Sequence, residues 1–404
     1  MKYRKINIIL FLVMCVTSSS LFSGTEYNLN SLVKGNNNFC LELYNNLKDR
    51  EGNLFFSSYS ISTALAMTYA GARGDTEKQI ADVLHFPADQ KLFHPAFSQL
   101  QNDLNAIEKK GDVLLSIANA LWAQKGDTFL DSFLNCTQNY YDAGLYFVDF
   151  AKSKEARKKI NDWVEEKTHD KIKDLIKPPI PDRLTSLILT NAIYFKGSWY
   201  NPFEKKKTIN DDFYLSKDVI VQVPMMSQKS DYRYIDYGSF EALELPYEGE
   251  DLSMFIFLPK AIDGLTVFEK HFSADTVSMW IDHLTHTYER DVIVTIPKFK
   301  TTCEFELAPT LSKMGMSDVF SWNADFSGMN GKRDLFISNV IHKAFVDVNE
   351  EGTEAAAATA VVMLKSAAPI KPIEFIADHP FLFFIRENTT GSILFVGRII
   401  DPRK

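Results

Sequence analysis

Residues 350–362, Glu-Glu-Gly-Thr-Glu-Ala-Ala-Ala-Ala-Thr-Ala-Val-Val, constrain this chain more than any other stretch because they suit two incompatible structures. Four consecutive alanines carry the best intrinsic helix propensity. Read as a strand, the same residues alternate between faces, with Thr353, Ala355, Ala357 and Thr359 on one and Glu354, Ala356, Ala358 and Ala360 on the other. The first set is small enough to slide over a packed core, and Gly352 supplies a hinge with few steric limits. The run follows an apolar, strand-like segment, Phe336 to Asn349, so it suits a piece of chain that is mobile in one state and a buried strand in another. Loops as long as 350–370 inside a compact domain are usually functional or disordered.

The rest of the chain reads as one large mixed α/β unit. Phe39, Leu43 and Leu47 recur at helical spacing, as do Ile61, Leu65 and Tyr69, where Ser57 or Ser60 can cap the helix. A further amphipathic helix is expected from Lys158 to Ile176, ending before Pro178-Pro179. Strand-like runs are Leu114 to Trp122, Leu187 to Phe195, Leu252 to Leu258, Val292 to Ile296, Leu335 to Val348 and Phe381 to Ile400. No low-complexity linker and no repeat of solenoid length divides the 404 residues, and apolar residues at 46% suffice for a large core.

Chemistry-bearing motifs are sparse. There is no Gly-x-Ser-x-Gly elbow, His-Glu-x-x-His, phosphate-binding glycine loop or Cys-x-x-Cys pair, so an enzyme is not expected, nor a metal or other cofactor. His283 and His286 lack a third ligand and read as solvated. The basic runs Lys152 to Lys159 and Glu204-Lys205-Lys206-Lys207 read as solvated faces, and a net charge of −8 argues against nucleic acid as a partner. Beyond Cys15, three widely spaced cysteines, Cys40, Cys136 and Cys303, make no disulfide framework.

Six motifs, in order, carry a family resemblance. They are Asn53-Leu-Phe-Phe-Ser-Ser-Tyr-Ser-Ile-Ser62, Leu189-Thr-Asn-Ala-Ile-Tyr-Phe-Lys-Gly-Ser-Trp199, Ile296-Pro-Lys-Phe299, the run from Glu350 to Thr359, Asp378-His-Pro-Phe-Leu-Phe383 and Ile393-Leu-Phe-Val-Gly-Arg398. Together they resemble the serpins over nearly all of the chain after its first thirty or so residues. The resemblance implies an α+β fold in one domain, about 30–404, with a large central sheet, further sheets, eight to nine helices and an exposed reactive-centre loop at about 350–375.

It also implies a suicide-substrate inhibitor of serine proteases, trypsin-like or elastase-like, with cysteine proteases as a further target class and the inhibitor a monomer. Glu350, Gly352, Thr353, Glu354, Ala355, Ala356, Ala357, Ala358 and Thr359 then form the loop hinge. Ser57, Ser60, Asn191 and His342 match a hydrogen-bonded cluster beneath the main sheet, and Trp199 a position where the hinge enters it. Counting seventeen hinge residues from Glu350 places cleavage at Ser366-Ala367, and one residue fewer at Lys365-Ser366; the narrower preference is for Lys365. Ser58 departs from the family's usual proline. A non-inhibitory carrier, chaperone or storage serpin is the alternative, though the hinge here has neither proline nor a bulky side chain from Gly352 to Thr359.

Residues 1–23 have the layout of a signal peptide: a basic start, an apolar run from Ile6 to Val16, then small residues, with cleavage expected between Ser20 and Gly24. Export follows as the expectation, to the extracellular space or to a bacterial periplasm, without lipid anchoring. The apolar run is too short to span a bilayer, so no stable membrane insertion is expected.

Overall fold

The computed structural model describes residues 23–87, 89–111, 113–141, 144–353 and 371–404. Its α-helices are α1 (Ser23–Leu47), α2 (Ser58–Tyr69), α3 (Gly74–Leu84), α4 (Gln90–Glu108), α5 (Asp131–Tyr141), α6 (Ser153–Lys167), α7 (Leu265–Phe268), α8 (Ala274–Thr285), α9 (Ala308–Met314) and α10 (Ser327–Asn330). The strands are β1 (Leu54–Phe56), β2 (Val113–Gln124), β3 (Gly144–Val148), β4 (Leu187–Ser198), β5 (Ile209–Ser216), β6 (Val219–Asp236), β7 (Phe240–Pro246) and β8 (Leu252–Pro259). Then come β9 (Glu289–Pro297), β10 (Phe299–Glu306), β11 (Ile337–Asn349), β12 (Gly352–Thr353), β13 (Ile373–Ile376), β14 (Phe381–Glu387) and β15 (Ile393–Ile399). Ten α-helices among the described residues exceed the expected eight to nine, the excess coming from single-turn pieces such as α7 and α10.

Two sheets organise the molecule. The six-stranded one runs β10-β11-β12-β4-β2-β3, and the nine-stranded one runs β1-β15-β14-β8-β7-β6-β9-β13 with β5 paired to β6. β4 is buried along nearly its whole length because it is covered on both faces, which is why it reads as a largely apolar run broken by Thr190 and Asn191. On one face lies the main core with α1, α2 and the nine-stranded sheet. On the other, Ile160 and Val164 of α6 cover Ala118, Ala120, Trp122, Ile188, Ala192 and Tyr194.

The helix expected from Lys158 to Ile176 is Ser153–Lys167 instead. Thr168 ends it: its hydroxyl donates back to the Val164 carbonyl at 2.8 Å and accepts the Ile172 N–H at 3.2 Å. His169, Asp170 and Asp174 then take positive φ, which a helix cannot hold. Ile172 remains buried against α6 from the loop, so its inward position was legible while its conformation was not.

Candidate functional site at the head of the six-stranded sheet

β4 and β11 pair in parallel from Leu187 with Ile337 up to Tyr194 with Phe345. Above that point they part, and Gly352–Thr353 enters between them as β12, antiparallel to both. Thr353 faces Val348 on one side and Gly197 on the other, fully buried, with its hydroxyl 2.9 Å from that of Tyr247. Gly352 is required by close approach: a Cβ there would stand 2.1 Å from the Gly197 carbonyl oxygen.

Trp199 frames this entry. Its indole N–H donates to the Asn349 carbonyl at 3.0 Å, its backbone N–H to the Glu351 carbonyl at 3.0 Å, and its ring stacks on Tyr247 at 4.8 Å. Glu350, nearly buried, is held by Lys298 Nζ at 2.9 Å and by the donated hydroxyl of Thr208 at 2.9 Å. Burial alone would raise the Glu350 carboxyl, but these donors outweigh it and hold the pKa below the ordinary carboxylate value. Lys205 reaches Glu351 at 2.6 Å on the surface.

Beneath the middle of the sheet, Ser57, Ser60, Asn191 and His342 come together, all fully buried. The Ser57 hydroxyl caps α2 by accepting the Ser60 N–H at 3.1 Å and donates to the Leu394 carbonyl at 2.7 Å. His342 Nε2 accepts the Ser57 backbone N–H at 3.2 Å, so the ring proton sits on Nδ1, which donates to Asn191 Oδ1. Burial pushes the imidazole pKa down to about 3, which keeps the ring neutral at physiological pH. A Ser57–His342 nucleophile–base pair is not formed, since the hydroxyl donates elsewhere.

The Asn191 amide donates to Ser60 Oγ at 2.5 Å and to Asn119 Oδ1, and Asn119 in turn donates to the Ser60 carbonyl at 3.3 Å. Asn119 was missed by sequence reasoning, although a lone amide in the apolar run of β2 was its signal. Tyr247 and Thr208 carried no comparable mark. Lys298 lay inside the quoted Ile296–Phe299 motif without a role.

Glu354, Ala355, Ala356, Ala357, Ala358 and Thr359 of the expected hinge, and Lys365, Ser366 and Ala367 of the expected scissile region, lie outside the described residues. So do residues 1–22 of the expected leader. Among the described residues no group of histidine, cysteine and carboxylate side chains could hold a metal ion. His283 meets the Tyr237 hydroxyl at 3.3 Å and His286 the Asp282 carbonyl at 2.6 Å. No described helix is long and apolar enough to cross a membrane.

Residues 34–402 match the family model described as Serpin (serine protease inhibitor). The chain is 43% identical to the leukocyte elastase inhibitor of Sus scrofa over 93% of this chain and 100% of that one. It is 41% identical to serpin B3 of Homo sapiens over 93% of this chain and 100% of that one. Among solved structures it is similar to Serpin48 of Tenebrio molitor, with TM-score 0.82, 34% identity, and 92% and 98% of the two chains covered. Human kallistatin gives TM-score 0.83 at 31% identity over 93% and 99%. These relatives correct one expectation. The leukocyte elastase inhibitors are intracellular members of their family, which contradicts the secreted, extracellular or periplasmic location inferred from the leader-like start.

Proposed function

The chain belongs to the serpin family, and on that premise we propose that it inhibits serine proteases as a suicide substrate. The observation that carries this reading is β12: two hinge residues already sit as a strand between β4 and β11, in a register that can be extended. After a protease cuts the loop and is acylated by it, the hinge is free to continue downward between the two strands.

Extending the register residue by residue gives each hinge side chain a partner. Ala356, Ala358 and Ala360 fall opposite Tyr194, Ala192 and Thr190 of β4, on the face covered by α6. Only small side chains fit beneath a packed helix, which accounts for the alanines. Thr359 falls opposite both Asn191 and His342, on the face of the polar cluster. Its hydroxyl can take over donors and acceptors exposed when those two residues separate, so that the network stays satisfied as the sheet opens. Each inserted residue also gains two ladders in place of a solvated loop, which makes the uncut form a kinetic trap.

The expected reactive bond is Lys365-Ser366, suited to trypsin-like enzymes, with Ser366-Ala367 suited to elastase-like ones. A cysteine protease, which also passes through an acyl-enzyme, is a second target class for the same trap. The inhibitor acts as a monomer on this reading. Mixing the full chain with trypsin and with elastase tests it: an SDS-stable complex of the summed mass is expected with at least one, and clean cleavage without complex overturns the inhibitory reading.

A further inference from the structure

A cleft of about 280 Å³ opens at the foot of the six-stranded sheet, where β4 and β11 begin. Pro179, Ile180, Leu184, Thr185, Phe336 and Ser338 are among its lining residues. The ladder is incomplete there. The Ser186 N–H donates to Ser338 Oγ at 2.9 Å, the Phe336 N–H donates to Ser186 Oγ at 3.3 Å, and the β4–β11 register slips between Ile337 and Asn339. The cleft is open and mixed in character, with Asp182 and Asn339 beside the apolar side chains of its lining. Leu184 is 79% exposed, and Trp322, whose ring meets Phe336 at 4.6 Å, is 74% exposed. Scattered exposed apolar side chains are ordinary, but large ones gathered round a cleft mark a surface that is covered in some state.

The strand register names the occupant. Counting down β4 from Thr353 opposite Gly197, Met363 falls opposite Leu187 and Leu364 opposite Ser186. On β11 the slip brings Leu364 opposite Phe336. Alternation sends its side chain to the α6 face, where Ile180 packs against the same cluster as that helix. We infer that the cleft is the seat of the Leu364 side chain once the loop has been cut and inserted, so that Leu364 is the residue that locks the foot of the sheet. This rests on the insertion mechanism proposed above. Cleavage after Lys365 or after Ser366 leaves Leu364 on the inserted piece, and cleavage before it leaves the cleft empty.

The test is a set of melting scans on the full chain, intact and nicked C-terminal to Leu364, with the nick position read from the mass of the released fragment. The wild type should melt higher once nicked. Leu364→Asp and, independently, Leu184→Ser should leave the intact transition unchanged and lower the nicked one by roughly 2–4 °C, the scale expected when an apolar contact is lost from a domain of this size. A nicked Leu364→Asp protein that melts with the nicked wild type overturns the assignment of the cleft while leaving insertion in place. A wild type whose transition does not rise on nicking overturns insertion itself, and the cleft assignment with it.

Discussion

The hydroxyls of Tyr247 and Thr353 meet at 2.9 Å in a fully buried position, which ties the first inward residue of the proposed hinge to the connection between β7 and β8. Tyr247 is itself stacked on Trp199, and burial raises its phenol far above the ordinary tyrosine value. The neutral hydroxyl pair therefore persists over the whole working pH range, and the slot it marks has no room for a charge.

Thr353→Arg should convert the inhibitor into a substrate. A cation in this slot lacks a partner and costs several kcal/mol, so insertion slows and the acyl-enzyme hydrolyses first. The stoichiometry of inhibition, read from SDS gels at increasing inhibitor-to-protease ratios, should rise several-fold. Complex formation at the wild-type ratio would remove Thr353 from the proposed hinge.

Gly352→Ala should loosen the head of the sheet before any cleavage. The added Cβ meets backbone at Gly197, which cannot swing aside as a side chain would. A loss of about 1–3 kcal/mol in the intact protein is expected, measured by urea unfolding. An unchanged midpoint would mean that Gly352 is not held where β12 places it.

Acid should destabilise the protein through His342. Its folded pKa of about 3 lies below the roughly 6.5 of an unfolded histidine, so as pH falls the unfolded chain takes up the proton first. Stability is then full above pH ~6.5 and is lost progressively between there and pH 3. His342→Gln should flatten that slope in unfolding measurements made across the window. His379 has the opposite sense. Burial would lower its pKa, but the Asp378 carboxylate and the Pro259 carbonyl outweigh this and raise it. Its contribution is present below the unfolded value and fades as pH climbs through the folded one, so a slope that survives in the acid window cannot be assigned to it.

Lys365→Ala should abolish inhibition of trypsin-like enzymes and spare any inhibition of elastase, because a pocket built to pair a cation strongly rejects a side chain without one. Mass spectrometry of the released C-terminal peptide fixes the bond. A fragment beginning at Ser366 supports Lys365, one beginning at Ala367 supports cleavage one residue on, and one beginning upstream of Met363 contradicts both.

Much of this arrangement could be read before the fold was known, and for physical reasons. β2, β4 and β11 are buried over most of their length, so each carries a long, largely apolar stretch interrupted by a few polar residues such as Asn119, Asn191 and His342. Ser57, as an N-cap, works within three residues of its partner, and local chemistry of that kind leaves a local pattern. Asn119 was passed over because its partners, Ser60 and Asn191, are 59 and 72 residues away, and a single amide in an apolar strand does not say what it bonds. The clamp on Glu350 is less legible still. Thr208 and Lys298 reach it across 142 and 52 residues, Thr208 from a polar stretch and Lys298 as a lone charge in an apolar motif, and neither setting says what the side chain bonds. The true end of α6 was misjudged because Ile172 keeps the helical phase of burial after the helix has stopped.

The seam between β4 and β11, joined below and already parted above by two residues, behaves as a crack with a defined tip. In a cracked sheet the bonds just ahead of the tip govern how fast it runs, and those at the far end govern only whether it can run to completion. Substitutions beside Phe345 and Tyr194 should therefore act as timing mutations, changing the race between insertion and deacylation. Substitutions near Leu187 should leave the race untouched and alter how hard the finished product is to unfold. Distance from Thr353 along the seam thus sorts kinetic from thermodynamic effects within one pair of strands.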